Sequence, residues 1–177
     1  MTNSFRLAFC GIATALCTLL MFLTGIISIG TYAFPALAGV LLIAVVIEFG
    51  KTWAWLVYAA VSVLSLFLAG DKEAVVLFIF FLGYYPILKS QIEKIHNRVA
   101  AYILKFSVFN VSMVACFFLS IKLLSVPEDS FTVAGIYLPW VFLLIGNIIF
   151  AVYDYALSLL VVSYFQRFHP YFRKWSK

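Results

Sequence analysis

The sequence predicts an all-α integral membrane protein, a six-transmembrane-helix bundle with both termini cytoplasmic. Three observations carry that reading. The composition is 66% hydrophobic and only 11% charged, against roughly 45–50% and about 25% in soluble domains, and a chain this short cannot bury so much apolar surface by itself. The apolar residues fall into six runs, and a bilayer is crossed by about 20 apolar residues, so the 177 residues make one membrane domain, 1–177, with short loops. The basic residues gather at alternate ends of these runs.

The first run, 7–29, is too long for the apolar region of a signal peptide and has no A-x-A-like cleavage site after it, so it is read as a mature helix. A turn at Ser28–Thr31 leads into the second, 32–48, with Pro35 near its start, where a missing N–H does little harm. Gly50 and Lys51 separate it from the third, 52–69, which opens on Trp53 and Trp55. The polar turn Gly70–Glu73 precedes the fourth, 74–88. Next, Leu88, Ile92, Ile95 and Val99 recur at spacings of four, three and four among Lys89, Gln91, Glu93, Lys94, Asn97 and Arg98, the pattern of an amphipathic surface helix over 88–99. The fifth run is 100–124. The acidic loop Pro127–Asp129 leads to the sixth, 134–165, and a basic, aromatic tail occupies 166–177.

Orientation follows from the positive-inside rule. With the amino terminus inside, the inner ends carry Arg6, Lys51, Lys89, Lys94, Arg98, Lys105, Arg167, Arg173, Lys174 and Lys177, and the outer ends only Lys72 and Lys122. The net charge of +5 therefore reports topology in a plasma membrane. No basic stripe with interleaved aromatics points to nucleic acid. Cys10, Cys17 and Cys116 sit inside apolar runs without C-x-x-C spacing, so they read as packing residues, with no metal and no cofactor expected. His96 and His169 lack partners at catalytic spacing, and no H-E-x-x-H, G-x-S-x-G or phosphate-binding glycine loop is present, so no enzyme is predicted.

The polar residues within the spans are the candidate site. A carboxylate in hydrocarbon costs at least about 2.5–3.5 kcal/mol, so Asp154, placed near mid-membrane, must face a partner or a cavity, or be held protonated by desolvation. Counting about 1.5 Å per residue puts Asn110 at the same depth, with Lys105 below it. Asn110, Asp154 and Lys105 thus form either an interhelical clamp or a ligand or ion contact. Asn147 and Ser158 continue a polar stripe along the sixth helix, leading to Tyr137 and Trp140 at its outer end, level with Tyr32. Tyr32, Tyr137, Trp140 and Asn147 read as an outward-facing small-molecule pocket or, alternatively, as lateral packing with belt aromatics. On the first helix, Ala8, Gly11 and Ala15 form a small-residue face for another helix of this chain or of a partner.

The small-residue face Gly11-Ile12-Ala13-Thr14-Ala15 and the turn into Tyr32-Ala33-Phe34-Pro35-Ala36-Leu37-Ala38-Gly39, in a six-helix chain with a basic start, resemble the S components of energy-coupling factor transporters. The resemblance lies in layout more than in motif. It implies a subunit that captures a vitamin-like small molecule near the outer side, covered by a segment corresponding to Ser28–Tyr32. It also implies docking on a transmembrane coupling subunit and cytoplasmic ATPases. Where the family has Ala-x-x-x-Ala, this chain has Gly11 and Ala15. The rival readings are a structural scaffold of the cell envelope and, with less support, an ion-coupled carrier using Asp154.

Overall fold

The computed structural model describes residues 3–27, 30–124, 132–133, 136–137 and 139–167, the side chains of 121–139 excepted. Its helices are α1 (Asn3–Leu23), α2 (Gly30–Phe49), α3 (Lys51–Leu68), α4 (Lys72–Leu77), α5 (Tyr85–Ile92), α6 (Arg98–Leu124) and α7 (Pro139–Arg167). A π-helical turn, Phe78–Leu82, joins α4 to α5, so that Lys72–Ile92 is one stretch, and among the described residues six helices are long and apolar enough to cross a membrane. Between α6 and α7 a two-residue antiparallel ladder pairs β1 (Thr132–Val133) with β2 (Ile136–Tyr137).

Two end contacts orient the bundle. Phe5 at the start of α1 meets Phe49 at the end of α2, and the Tyr164 hydroxyl near the end of α7 donates to Glu48 at 3.0 Å. The start of α1 and the end of α7 therefore share one end with the α2–α3 junction. At the opposite end, the Thr31 hydroxyl donates to Asp71 at 2.7 Å, tying the start of α2 to the turn before α4.

α1 ends earlier than its hydropathy predicts, at Leu23 rather than Ile29. Thr24 turns its hydroxyl back onto the Met21 carbonyl, and Gly25 lies so close to Gly70 that a Cβ there would sit 2.9 Å from the Gly70 Cα. Packing of these two turns, backbone on backbone, stops the helix. α2 and α3 are separated at Gly50, whose φ of +85° is a conformation open to glycine.

α1, α2 and α3 pack as a three-helix unit through Cys10, Cys17 and Met21, Ala38, Leu42 and Val45, and Ala54, Val57 and Val61. Small side chains let these helices approach closely, which favours association in lipid, where hydrophobic exclusion is absent. All three cysteines of the chain are free and buried, and the Cys17 thiol donates to the Ala38 carbonyl. α6 and α7 join through a second, aromatic cluster of Phe81, Tyr85, Phe109 and Phe150, with the last two rings stacked at 4.7 Å.

The surface helix predicted over 88–99 does not form as one element. The fourth span continues to Ile92, residues 93–97 are non-helical, and the Asn97 side chain accepts the Val99 and Ala100 N–H groups to start α6. Its predicted apolar face is split accordingly: Ile92 is buried, whereas Ile95 and Val99 are exposed. The predicted acidic loop at Pro127–Asp129 and the tail from 168 onward lie outside the described residues.

The π turn positions a main-chain carbonyl against α2. A Cβ at Gly39 would overlap the Leu82 carbonyl oxygen, a backbone atom that cannot swing aside. Gly39→Ala is therefore expected to destabilise the bundle by about 1–3 kcal/mol, read by denaturant titration in bicelles. Unchanged stability would mean that α2 and the fourth span are further apart than described.

Candidate functional site

Three polar or concave features occupy three levels of the bundle. Nearest the shared end of α1 and α7, one turn inside the α5–α6 connection, lies a cluster of four charges. The Asp154 carboxylate, 8% exposed, accepts from the Lys89 ammonium at 2.5 Å and the Tyr85 hydroxyl at 2.6 Å on Oδ1, and from the Lys105 ammonium at 3.0 Å on Oδ2. Lys89 and Lys105, 3% and 5% exposed, both also reach Glu93 Oε1, at 2.6 and 2.9 Å. Lys89 further donates to the Ser158 hydroxyl and the Asp154 carbonyl.

Two ammonium groups thus face two carboxylates, and the formal charge of the group is zero. Buried ions cost several kcal/mol each unless their remaining hydrogen-bonding capacity is met. Here Tyr85 and Ser158 meet part of it. The local sequence explains the convergence: Tyr85, Lys89 and Glu93 are spaced by four on one helical face, and Asp154 and Ser158 are spaced by four on α7.

One level further from that end, Asn110 and Asn147 pair reciprocally. Each amide donates to the other's oxygen, at 2.9 and 3.0 Å, and spends its second N–H on a carbonyl four residues back, Phe106 and Leu143 respectively. The sequence reading brought Asn110 to Asp154. The structure instead gives Asp154 to Lys105, and five residues further along α6 Asn110 meets Asn147, seven residues back along α7. In an antiparallel pair the partner of a residue moves toward the opposite terminus at each turn, which fixes this register. Lys89 is the site residue that sequence reasoning missed. Its four-residue spacing from Tyr85 and Glu93 is visible in the sequence, but that periodicity equally fits a surface helix and does not name Asp154 as its partner.

Toward the opposite end, a cavity of about 350 Å³ opens between α4, α6 and α7. Tyr32, Glu73 and Trp140 belong to the ends of their helices there, and Phe109, Met113 and Gly146 line it more deeply. A volume in this range suits a small organic molecule. Of the predicted pocket residues, Tyr32 and Trp140 line the cavity, Asn147 is turned to Asn110, and the side chain of Tyr137 lies outside the described residues. Glu73, read from sequence as part of a polar turn, is an addition. The covering segment Ser28–Tyr32 is described from Gly30 onward only.

On α1, Ala8, Gly11 and Ala15 face away from the bundle, and a Cβ built at Gly11 meets nothing within 4 Å. The helix packs instead through Cys10, Ala13, Cys17 and Met21. The intramolecular partner considered for the small-residue face is therefore absent among the described residues.

Two measurements test the cluster. Lys89→Met leaves Asp154 without its bridging ammonium, so it should destabilise by about 3–5 kcal/mol, whereas Lys89→Met with Asp154→Leu removes one charge of each sign and should cost less than the sum of the single changes. Simple additivity in bicelle unfolding would show that the two groups do not interact. Glu93, whose side chain is 43% exposed, gives the pH dependence. Burial pushes its carboxyl up, but hydrogen bonds from Lys89 and Lys105 outweigh burial and hold it below its ordinary 4.5. A lowered folded-state value stabilises above the ordinary carboxylate range and loses that contribution as pH falls through the folded value. Stability should accordingly drop on acidification below about pH 4.5, less steeply in Glu93→Gln; equal slopes would assign the acid loss to other groups.

Set beside known protein-family models, curated proteins and solved structures, the chain matches none of them.

Proposed function

We propose that this chain is the membrane-embedded substrate-capture subunit of a micronutrient importer, a protein of the kind represented by the S components of energy-coupling factor transporters. The observation that carries the reading is the cavity between α4, α6 and α7, an apolar recess with polar groups confined to a few positions, as small-molecule sites commonly are. On the positive-inside reading, with both termini cytoplasmic in a plasma membrane, the cavity is at the outer side, where capture from the medium requires it.

Two further features support it. The small-residue face Ala8, Gly11 and Ala15 is left outward and fits a close-packed helix of a transmembrane coupling subunit, whose cytoplasmic ATPases would supply the energy. The polar groups of the lower levels are occupied with one another. The carrier reading requires Asp154 to be reached by an ion, and both of its oxygens are held by Lys89, Tyr85 and Lys105. Asp154, Asn110 and Lys105 then act as fastenings between helices, and ligand contact passes to Tyr32, Trp140 and the cavity wall.

Gly146→Leu tests the pocket. A Cβ on Gly146 would lie 3.3 Å from the Phe109 Cζ, so a leucine there must push the Phe109 ring or its own branches into the cavity that both residues line. Native mass spectra of the wild-type chain, gently extracted from its own membrane, should show a retained small molecule, and Gly146→Leu should lower its occupancy at least about tenfold, equivalent to about 1.4 kcal/mol. A wild-type chain that carries only envelope proteins would instead favour the scaffold reading.

A further inference from the structure

We infer that the ligand of this cavity is an organic cation: an apolar, preferably aromatic body carrying an amine or quaternary ammonium group. The inference rests on the capture reading and specifies its substrate class.

It follows from the distribution of charge around the recess. The described lining residues include one carboxylate, Glu73, and no lysine, arginine or histidine. An anionic ligand would enter the recess past the exposed Glu73 carboxylate at its edge, with no counter-charge among the described lining residues, a like-charge arrangement that costs affinity. A cation has the opposite prospect. Glu73 is free to serve it, because its carboxylate has no hydrogen-bond or ion-pair partner among the described residues.

The neighbouring charges are already engaged. Asp71 accepts the Thr31 hydroxyl on one oxygen and the Glu73 and Ala74 N–H groups on the other, capping α4. Lys72, the cation adjacent in sequence, directs its ammonium to the Leu66 and Ala69 carbonyls at 2.9 and 3.2 Å, closing the end of α3. It does not line the cavity. Among the described residues, Glu73 is thereby left as the charged group of the recess.

The rings complete the recognition. Tyr32 and Trp140 line the same recess, and the faces of tyrosine and tryptophan attract cations, tryptophan most strongly. Deeper in, Phe109, Met113 and Leu143 offer an apolar and aromatic wall without a charged group, suited to the body of the molecule and to nothing ionic. A cation at the edge with its hydrophobic portion inward matches both halves of the lining.

The test identifies the molecule released from the wild-type chain extracted from its own membrane, by accurate mass and fragmentation, and measures its retention in Glu73→Gln and Gly146→Leu. The expected result is an amine or quaternary ammonium compound, with occupancy at least about tenfold lower in Glu73→Gln, equivalent to about 1.4 kcal/mol. A neutral or anionic molecule that Gly146→Leu displaces would overturn the charge assignment and leave capture standing. Retention of a cation unchanged in Glu73→Gln would also overturn it, since another group would then recognise the charge. Absence of any small molecule from the wild-type chain would overturn the capture reading together with this one.

Discussion

The neutral group of Asp154, Lys89, Lys105 and Glu93 is the constraint on which the arrangement of the last three helices depends. An acid in hydrocarbon is tolerated only where opposite charge and hydrogen bonds surround it, so α7 has a single rotation and a single height at which Asp154 is satisfied. That setting has consequences along the whole helix. Of the described α7 residues, the buried ones are Phe150, Asp154 and Leu157, spaced by four and three on one face. α7 is therefore held by a narrow strip, with the rest of its described surface outside the core. Asp154 sets its height, Phe150 stacks on Phe109, and Asn147 then falls opposite Asn110.

The cavity follows from the same geometry. Above the asparagine pair Gly146 lets α7 approach Phe109 of α6 closely, since a Cβ there would sit 3.3 Å from the Phe109 Cζ, and the cavity that both residues line opens beyond this contact. The Asp154 cluster and the asparagine pair join the two helices by hydrogen bonds, and the recess lies beyond them. The chain thus separates its fastenings, toward the end shared by the α1 start and the α7 end, from its recess at the opposite end. The capture proposal draws on that separation: groups that hold helices together are not spent on a ligand, and Glu73 at the recess is not spent on a helix.

The number of long apolar helices was legible in the hydropathy, because a helix that crosses a bilayer must cover its own backbone polar groups whatever its neighbours are. The need for a partner to Asp154 was legible too, and Lys105 was within reach of it by rise alone. Lys89 was not, for a physical reason. An amphipathic segment at a membrane edge has two solutions, polar face to water or polar face to a buried acid, and local periodicity does not distinguish them when the acid is 65 residues away. Asn110 was assigned a wrong partner because counting from the two helix ends takes them as level, whereas Asp154, thirteen residues from the end of α7 at Arg167, meets Lys105, seven residues from the start of α6 at Arg98. Tyr32 and Trp140 were placed together by height, whereas Glu73 looked like an ordinary turn residue until Asp71 and Lys72 were seen to be committed elsewhere.

The most direct measurement is a cryo-electron-microscopy structure of the chain, purified from its own membrane and held in a lipid nanodisc with a rigid binding fragment. Non-protein density between Tyr32, Glu73, Trp140 and Gly146, with the Asp154 cluster and the Asn110–Asn147 pair closed, is the expected result. Ligand or a file of water reaching Asp154 through an opened asparagine pair, with the recess occupied by lipid chains, would contradict it and return the function to the charged cluster.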